Sequence, residues 1–156
     1  MDCDVKIISG GQTGADRAAL DFAIQHGLPH GGWVTQGRKA EDGRIPDVYQ
    51  LQEMPTDSYR ARTEQNVIDS TGTVIISHGR LEGRSGSAYT AKMARNHGRP
   101  RLHLNMAKLS IEQAAQQLRS WIAENKIEML NVAGPRHSKD PQVYNTTLEI
   151  LHLTSR

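Results

Sequence analysis

The chain is poor in most of what would announce a function. It has one cysteine, Cys3, in 156 residues, which excludes an internal disulfide framework and fits a reducing compartment. One phenylalanine and four tyrosines are too few for the stacking surface that single-stranded nucleic acids need. The formal net charge is only +2, with no basic stripe of the kind that tracks a phosphate backbone. No run approaches the roughly 20 apolar residues of a membrane span. The start, Met1 to Lys6, lacks the basic-then-apolar order of a signal peptide. These absences predict a cytoplasmic protein with no membrane partner and no nucleic-acid partner. The length predicts one domain, residues 1–156, with a real core.

Standard chemical motifs are absent too. No lysine follows Gly14, so there is no P-loop. The glycines at 10, 11 and 14 have the wrong spacing for a dinucleotide fingerprint, and residues 31–36 offer no acidic group for a ribose. There is no Cys-x-x-Cys, no His-Glu-x-x-His and no histidine pair at i, i+4 spacing on a predicted helix, which argues against a structural metal centre. No Gly-x-Ser-x-Gly elbow follows a strand, so a serine nucleophile has no seat.

What is present is an alternation. Short apolar runs at 5–8, 31–34, 73–77, 101–104 and 128–133 read as strands. Helical patterns fall at 16–26, 58–70, about 87–97, 110–125 and 141–153, with Ser58 and the box Ser110-x-x-Gln113 as start signals. Residues 35–57 hold Gly37, Gly43, Pro46 and Pro55 with little periodicity, and read as a long loop. Five strands alternating with helices predict an α/β fold: a Rossmann-like, doubly wound, mostly parallel five-stranded sheet with helices on both faces. In such sheets ligands bind beyond the C-terminal strand ends.

The loops expected at that edge are unusually polar and glycine-rich. The first, Gly10, Gly11, Gln12, Thr13 and Gly14, with Arg17 one turn on, joins a strand to a helix start. Exposed N–H groups and the helix dipole favour an anion there. Around Gly86, the hydroxyls of Ser87 and Thr90 sit at a second helix start, where they can cap the helix or hold an oxyanion. Gly134-Pro135-Arg136 follows the last strand directly. In the long loop, Arg38 can pair with a phosphate and Asp42 with a ligand hydroxyl or amine. On the helix at 58–70, Arg62, Asn66 and Asp69 share one face. That stripe is either an exposed charged face or the wall of a polar pocket.

Taken together, the segments Ser9 to Arg17, Gly37 to Pro46, Tyr59 to Thr73 and Asn131 to Arg136 resemble the molybdenum carrier (molybdenum cofactor carrier) family. That family belongs to a Rossmann-like superfamily with the lysine decarboxylase-like phosphoribohydrolases and DNA-processing protein A. The four segments occur in order and span nearly the whole chain. Two departures stand out. Val34-Thr35-Gln36 occupies the place of the family's Cys-Pro-Lys, and Ser85-Gly86, with Arg84 before it, replaces a Gly-Gly. The phosphoribohydrolases' Pro-Gly-Gly-x-Gly-Thr-x-x-Glu signature is missing, so its glutamate has no counterpart here.

The resemblance implies a homo-oligomeric carrier with molybdenum cofactor, a phosphate-bearing pterin, as its cargo. Leu148, Ile150, Leu151 and Leu153 are either an oligomer surface or core. The residues themselves imply an anionic small-molecule ligand with a polar ring. A nucleotide N-glycosidase using Glu64 or Asp69 is the alternative, with Arg38 and Arg62 holding the phosphate.

Overall fold

The structure is a computed structural model describing residues 4–156. Cys3 lies outside the described residues. Strand β1, Lys6–Ile8, buries Ile7 and Ile8 on opposite faces, as a strand covered on both sides must. It leads through the glycine turn into α1, Ala15–Gln25, whose Ala15, Ala18, Ala19, Phe22 and Ala23 are fully buried. Strand β2, His30–Gly31, returns to pair in parallel with β1.

The run 31–34 is not one strand. Gly32 divides it, and β3, Trp33–Val34, leaves the main sheet to pair in parallel with β6, Gln52–Glu53. Between them β4, Lys39–Ala40, and β5, Gly43–Arg44, form an antiparallel hairpin. Residues 35–57 are therefore not the unbroken loop expected. Two-residue strands are too short to leave a periodic signal.

The remaining elements follow the predicted alternation. Helix α2, Tyr59–Asp69, starts at Ser58, whose Oγ accepts from the Ala61 amide at 3.2 Å. Strand β7, Gly72–Ser77, is buried throughout. It is followed by α3, Gly86–Asn96, and β8, Arg101–Asn105. Helix α4, Ile111–Asn125, carries the predicted capping box with both reciprocal bonds made: Gln113 N–H to Ser110 Oγ at 3.1 Å and Ser110 N–H to Gln113 Oε1 at 2.9 Å. Strand β9, Met129–Ala133, and α5, Val143–Thr154, complete the chain.

The main sheet has the order β2-β1-β9-β7-β8, all parallel. One face is apolar: Ile7, Val74, Ile76, Leu104, Leu130 and Val132 pack under α1, α4 and α5. Ile150 and Leu151 are wholly buried in that layer, with Leu148 packed against it. The α5 residues considered for an oligomer surface are thus mostly spent on the core. Side chains alternate along a strand, so Thr73, Ser77 and Asn131 point to the other face, under α2 and α3. There Asn131 Nδ2–H donates to Thr73 Oγ1 at 3.2 Å, beside the buried Ile8 and Ile75, and the helices add only the small cluster of Val67, Met93, Ala94 and Tyr89. A second face that mixes polar with apolar side chains, open at the C-terminal ends of β1, β9 and β7, is what creates the site.

Candidate functional site

The main cavity, about 1190 Å³, lies at that edge. Gly10 and Gln12 line it from the first turn, Arg62 and Asn66 from α2, Gly86, Ser87 and Thr90 from α3, and Gly134 and Arg136 from the loop after β9. The three glycine-rich loops do converge, as the alternating pattern predicts. The first and the last of them also pack closely, the last against β7 as well. A Cβ on Gly134 would sit 2.4 Å from the Ile76 carbonyl oxygen, and one on Gly14 would sit 2.4 Å from that of Pro135.

Arg62 dominates the floor. Its guanidinium lies across Gly10, so that a Cβ there would meet Nη1 at 1.7 Å. Nη1 is 3.4 Å from Asp16 Oδ2, and Nε–H is buried without a hydrogen-bond partner. A buried donor left unmet is costly, and here it belongs to a cation facing a cavity. Asp16 is itself buried. Burial pushes its pKa up to about 6, against the pull of Arg62 and of the Gln12 amide. Around this floor Arg62, Arg80, Arg84, Arg136 and Lys139 outnumber Asp16, Glu82 and Asp140, and Asp140 already pairs with His78 at 2.7 Å.

The α3 start differs in detail from expectation. Its cap is Ser85, whose Oγ accepts from the Ala88 amide at 3.1 Å. Ser87 is therefore released from capping and sits buried in the first turn, on the cavity wall. Thr90 lies one turn deeper, where its Oγ1–H donates to the Gly86 carbonyl at 2.9 Å.

Part of the expected set lies elsewhere. Thr13, Gly14, Arg17 and Asp42 line a second cavity of about 570 Å³ with Glu41, His137, Ser138 and Tyr144. Arg17 makes a two-pronged bond to Asp42, at 3.0 and 3.2 Å, and its Nε–H donates to the Gly11 carbonyl. Gly11 packs against Ile45, Leu51 and Val34 rather than toward either cavity.

Three charged or amide side chains are spent on architecture. Arg38, only 7% exposed, donates to the carbonyls of Ile45, Pro46 and Tyr49. It folds the long segment and does not reach the main cavity. Asn66 lies on the cavity wall, but its amide grips the Trp33 backbone, at 2.7 and 3.0 Å. Asp69 accepts from Trp33 Nε1 and Gln65 and is not part of the lining. The stripe on α2 is mixed: Arg62 faces the cavity, while Asn66 and Asp69 fasten β3.

Glu41 was not among the expected site residues, yet it ties the rim together. At the tip of the β4–β5 hairpin it accepts from Thr13 Oγ1, from the Ser138 amide at 3.0 Å and from Ser138 Oγ at 2.6 Å, with Arg136 Nε 3.6 Å away. The Ser138 and Thr13 hydroxyls hold its pKa down at about 2. A depressed carboxylate stabilises the fold fully above its ordinary value of 4.5, and that contribution is lost as pH falls through about 2. Glu41→Gln should therefore cost about 1 kcal/mol at neutral pH, because solvent screens charge-assisted bonds made by an exposed residue. In urea unfolding, the gap to the parent should close toward pH 2.

The model of the circularly permutated YpsA SLOG family matches residues 7–155. A solved structure of a protein from Syntrophus aciditrophicus, named "Putative molybdenum carrier protein", is 55% identical to this chain. It covers 98% of this chain and 96% of its own, with a TM-score of 0.95. No functionally curated protein matches. The chain belongs to the circularly permutated YpsA SLOG family.

Proposed function

We propose that this member of the family is a binding protein for a phosphate-bearing small molecule, with molybdenum cofactor as its cargo. The observation that carries the first part is the main cavity floor, where Arg62 keeps an unpartnered Nε–H. An arginine fork suits phosphate, and the first turn of α3, at Gly86 and Ser87, supplies the same preference through its free amides. The name of the relative supports the cargo. The pterin would be held by non-covalent contacts, since no cysteine lines the cavity among the described residues.

Calorimetry with purified protein tests the reading. Binding of molybdenum cofactor supports it, and binding of AMP alone refutes the cargo. The two carboxylates considered for the hydrolase alternative do not face the cavity. Glu64 pairs with His97 at 3.0 Å, and neither Glu64 nor Asp69 lines the cavity. Glu64→Gln is therefore expected to leave ligand affinity within twofold of the parent in the same titration.

A further inference from the structure

We infer that His26 and His152 form a surface chelate for one transition-metal ion of the Cu(II), Ni(II) or Zn(II) class, independent of both cavities. The two residues are 126 positions apart, so no spacing rule reveals them. His26 caps the C-terminus of α1, and His152 sits in the last turn of α5, which packs beside it. Nε2 of His26 lies 3.0 Å from Nδ1 of His152. Phe22, fully buried, packs against both rings, with centroids 4.4 and 5.5 Å away, and so keeps them side by side.

Three physical features point to a cation. Both imidazoles stand at helix C-termini, where unpaired carbonyls carry negative partial charge. His26 is exposed and His152 half-buried, so an ion can enter. The third feature is geometric. Two nitrogens bound at about 2.0–2.1 Å lie about 2.9 Å apart at cis positions of a square or octahedral ion, and about 3.3 Å apart in a tetrahedron. The observed 3.0 Å is the length of a hydrogen bond between the rings, and it places the two nitrogens close enough to share one ion. The present hydrogen bond points one nitrogen at the other. Rotation of the rings breaks that bond and aims both lone pairs at one point in solvent, and the broad χ2 torsion of histidine permits it. Among the described residues no cluster of three or more His, Cys, Asp or Glu forms, so water takes the other positions. This is an open site rather than a structural one.

The test uses untagged full-length protein carrying Cys3→Ser, so that the thiol does not compete. It is freed of metal with chelator, then titrated with copper, nickel or zinc chloride by calorimetry. Copper-loaded samples are read by electron paramagnetic resonance. One ion per chain is expected, with two coupled nitrogens. His26→Ala and His152→Ala should each weaken binding at least tenfold and leave one coupled nitrogen, while His97→Ala should change neither. Melting in chelator checks folding, and His26→Gln and His152→Gln repeat the test for any alanine variant that fails it. Failure of the parent to bind an ion overturns the inference. So does unchanged affinity and nitrogen count in the folded His26 and His152 variants.

Discussion

Gly32→Ala is expected to destabilise the protein by about 3 kcal/mol or more, lowering the urea midpoint with an unchanged slope. A Cβ at Gly32 would fall 2.1 Å from the carbonyl oxygen of Ser9 and 2.9 Å from its amide nitrogen. Both are backbone atoms of the strand end, so no side chain can move aside. The residue also has φ +131°, a conformation that costs an L-residue about 1–3 kcal/mol by itself. The position matters for the site as well as for the fold. Ser9 opens the glycine turn, and its Oγ–H donates to the Asp16 carbonyl at 2.9 Å. Pushing Ser9 away displaces the turn on which Arg62 lies. Gly83→Ala, where an added Cβ meets nothing within 4 Å, should leave stability within about 0.5 kcal/mol. Equal effects of the two changes would contradict the close approach of Gly32 to β1.

Arg62→Ala is expected to have the largest effect on binding, a loss of about 10–100-fold in affinity for a phosphate monoester. That is the worth of one hydrogen-bonded charge pair, about 1.5–3 kcal/mol. The same change removes the partner of Asp16. With a pKa raised from 3.8 to about 6, Asp16 favours folding most in its protonated form. Its contribution is complete below its unfolded value and is lost as pH rises through about 6. Parent stability should therefore decline from pH 4 to pH 7 by the Asp16 contribution. Arg62→Ala, which removes a pull toward the charged form, should steepen that decline and carry it to higher pH. Urea midpoints at pH 4, 6 and 8 measure both. An Arg62→Ala protein with unaltered affinity and an unaltered pH profile would mean that neither the anion nor Asp16 depends on this guanidinium.

The sheet was largely legible in the sequence because parallel strands buried on both faces leave plain apolar runs, as in Val74 to Ile76. Helix starts were legible where a hydroxyl caps, as at Ser58 and Ser110. The segment between residues 35 and 57 was not. Its order comes from Arg38 donating to carbonyls 7 to 11 residues on and from β3 meeting β6. Neither leaves a local pattern. The convergence of the three loops followed from topology alone. Which side chains face the cavity did not. Asn66 and Asp69 have the residue types of a ligand wall, yet they hold Trp33. Asp16 and Lys139 were not among the expected site residues, and the structure puts both on the cavity wall. Polar residues on the inner face of β7 and β9, Thr73, Ser77 and Asn131, were the one signal that this face opens onto a polar space.

The central claim is that the cavity beside Arg62, and not the one beside Arg17, receives the anionic end of a small molecule. A crystal structure of the protein saturated with molybdenum cofactor tests it most directly. Phosphate density is expected within hydrogen-bond distance of the Arg62 guanidinium and the first turn of α3. Density against Arg17 and Glu41, with the main cavity empty, would contradict it.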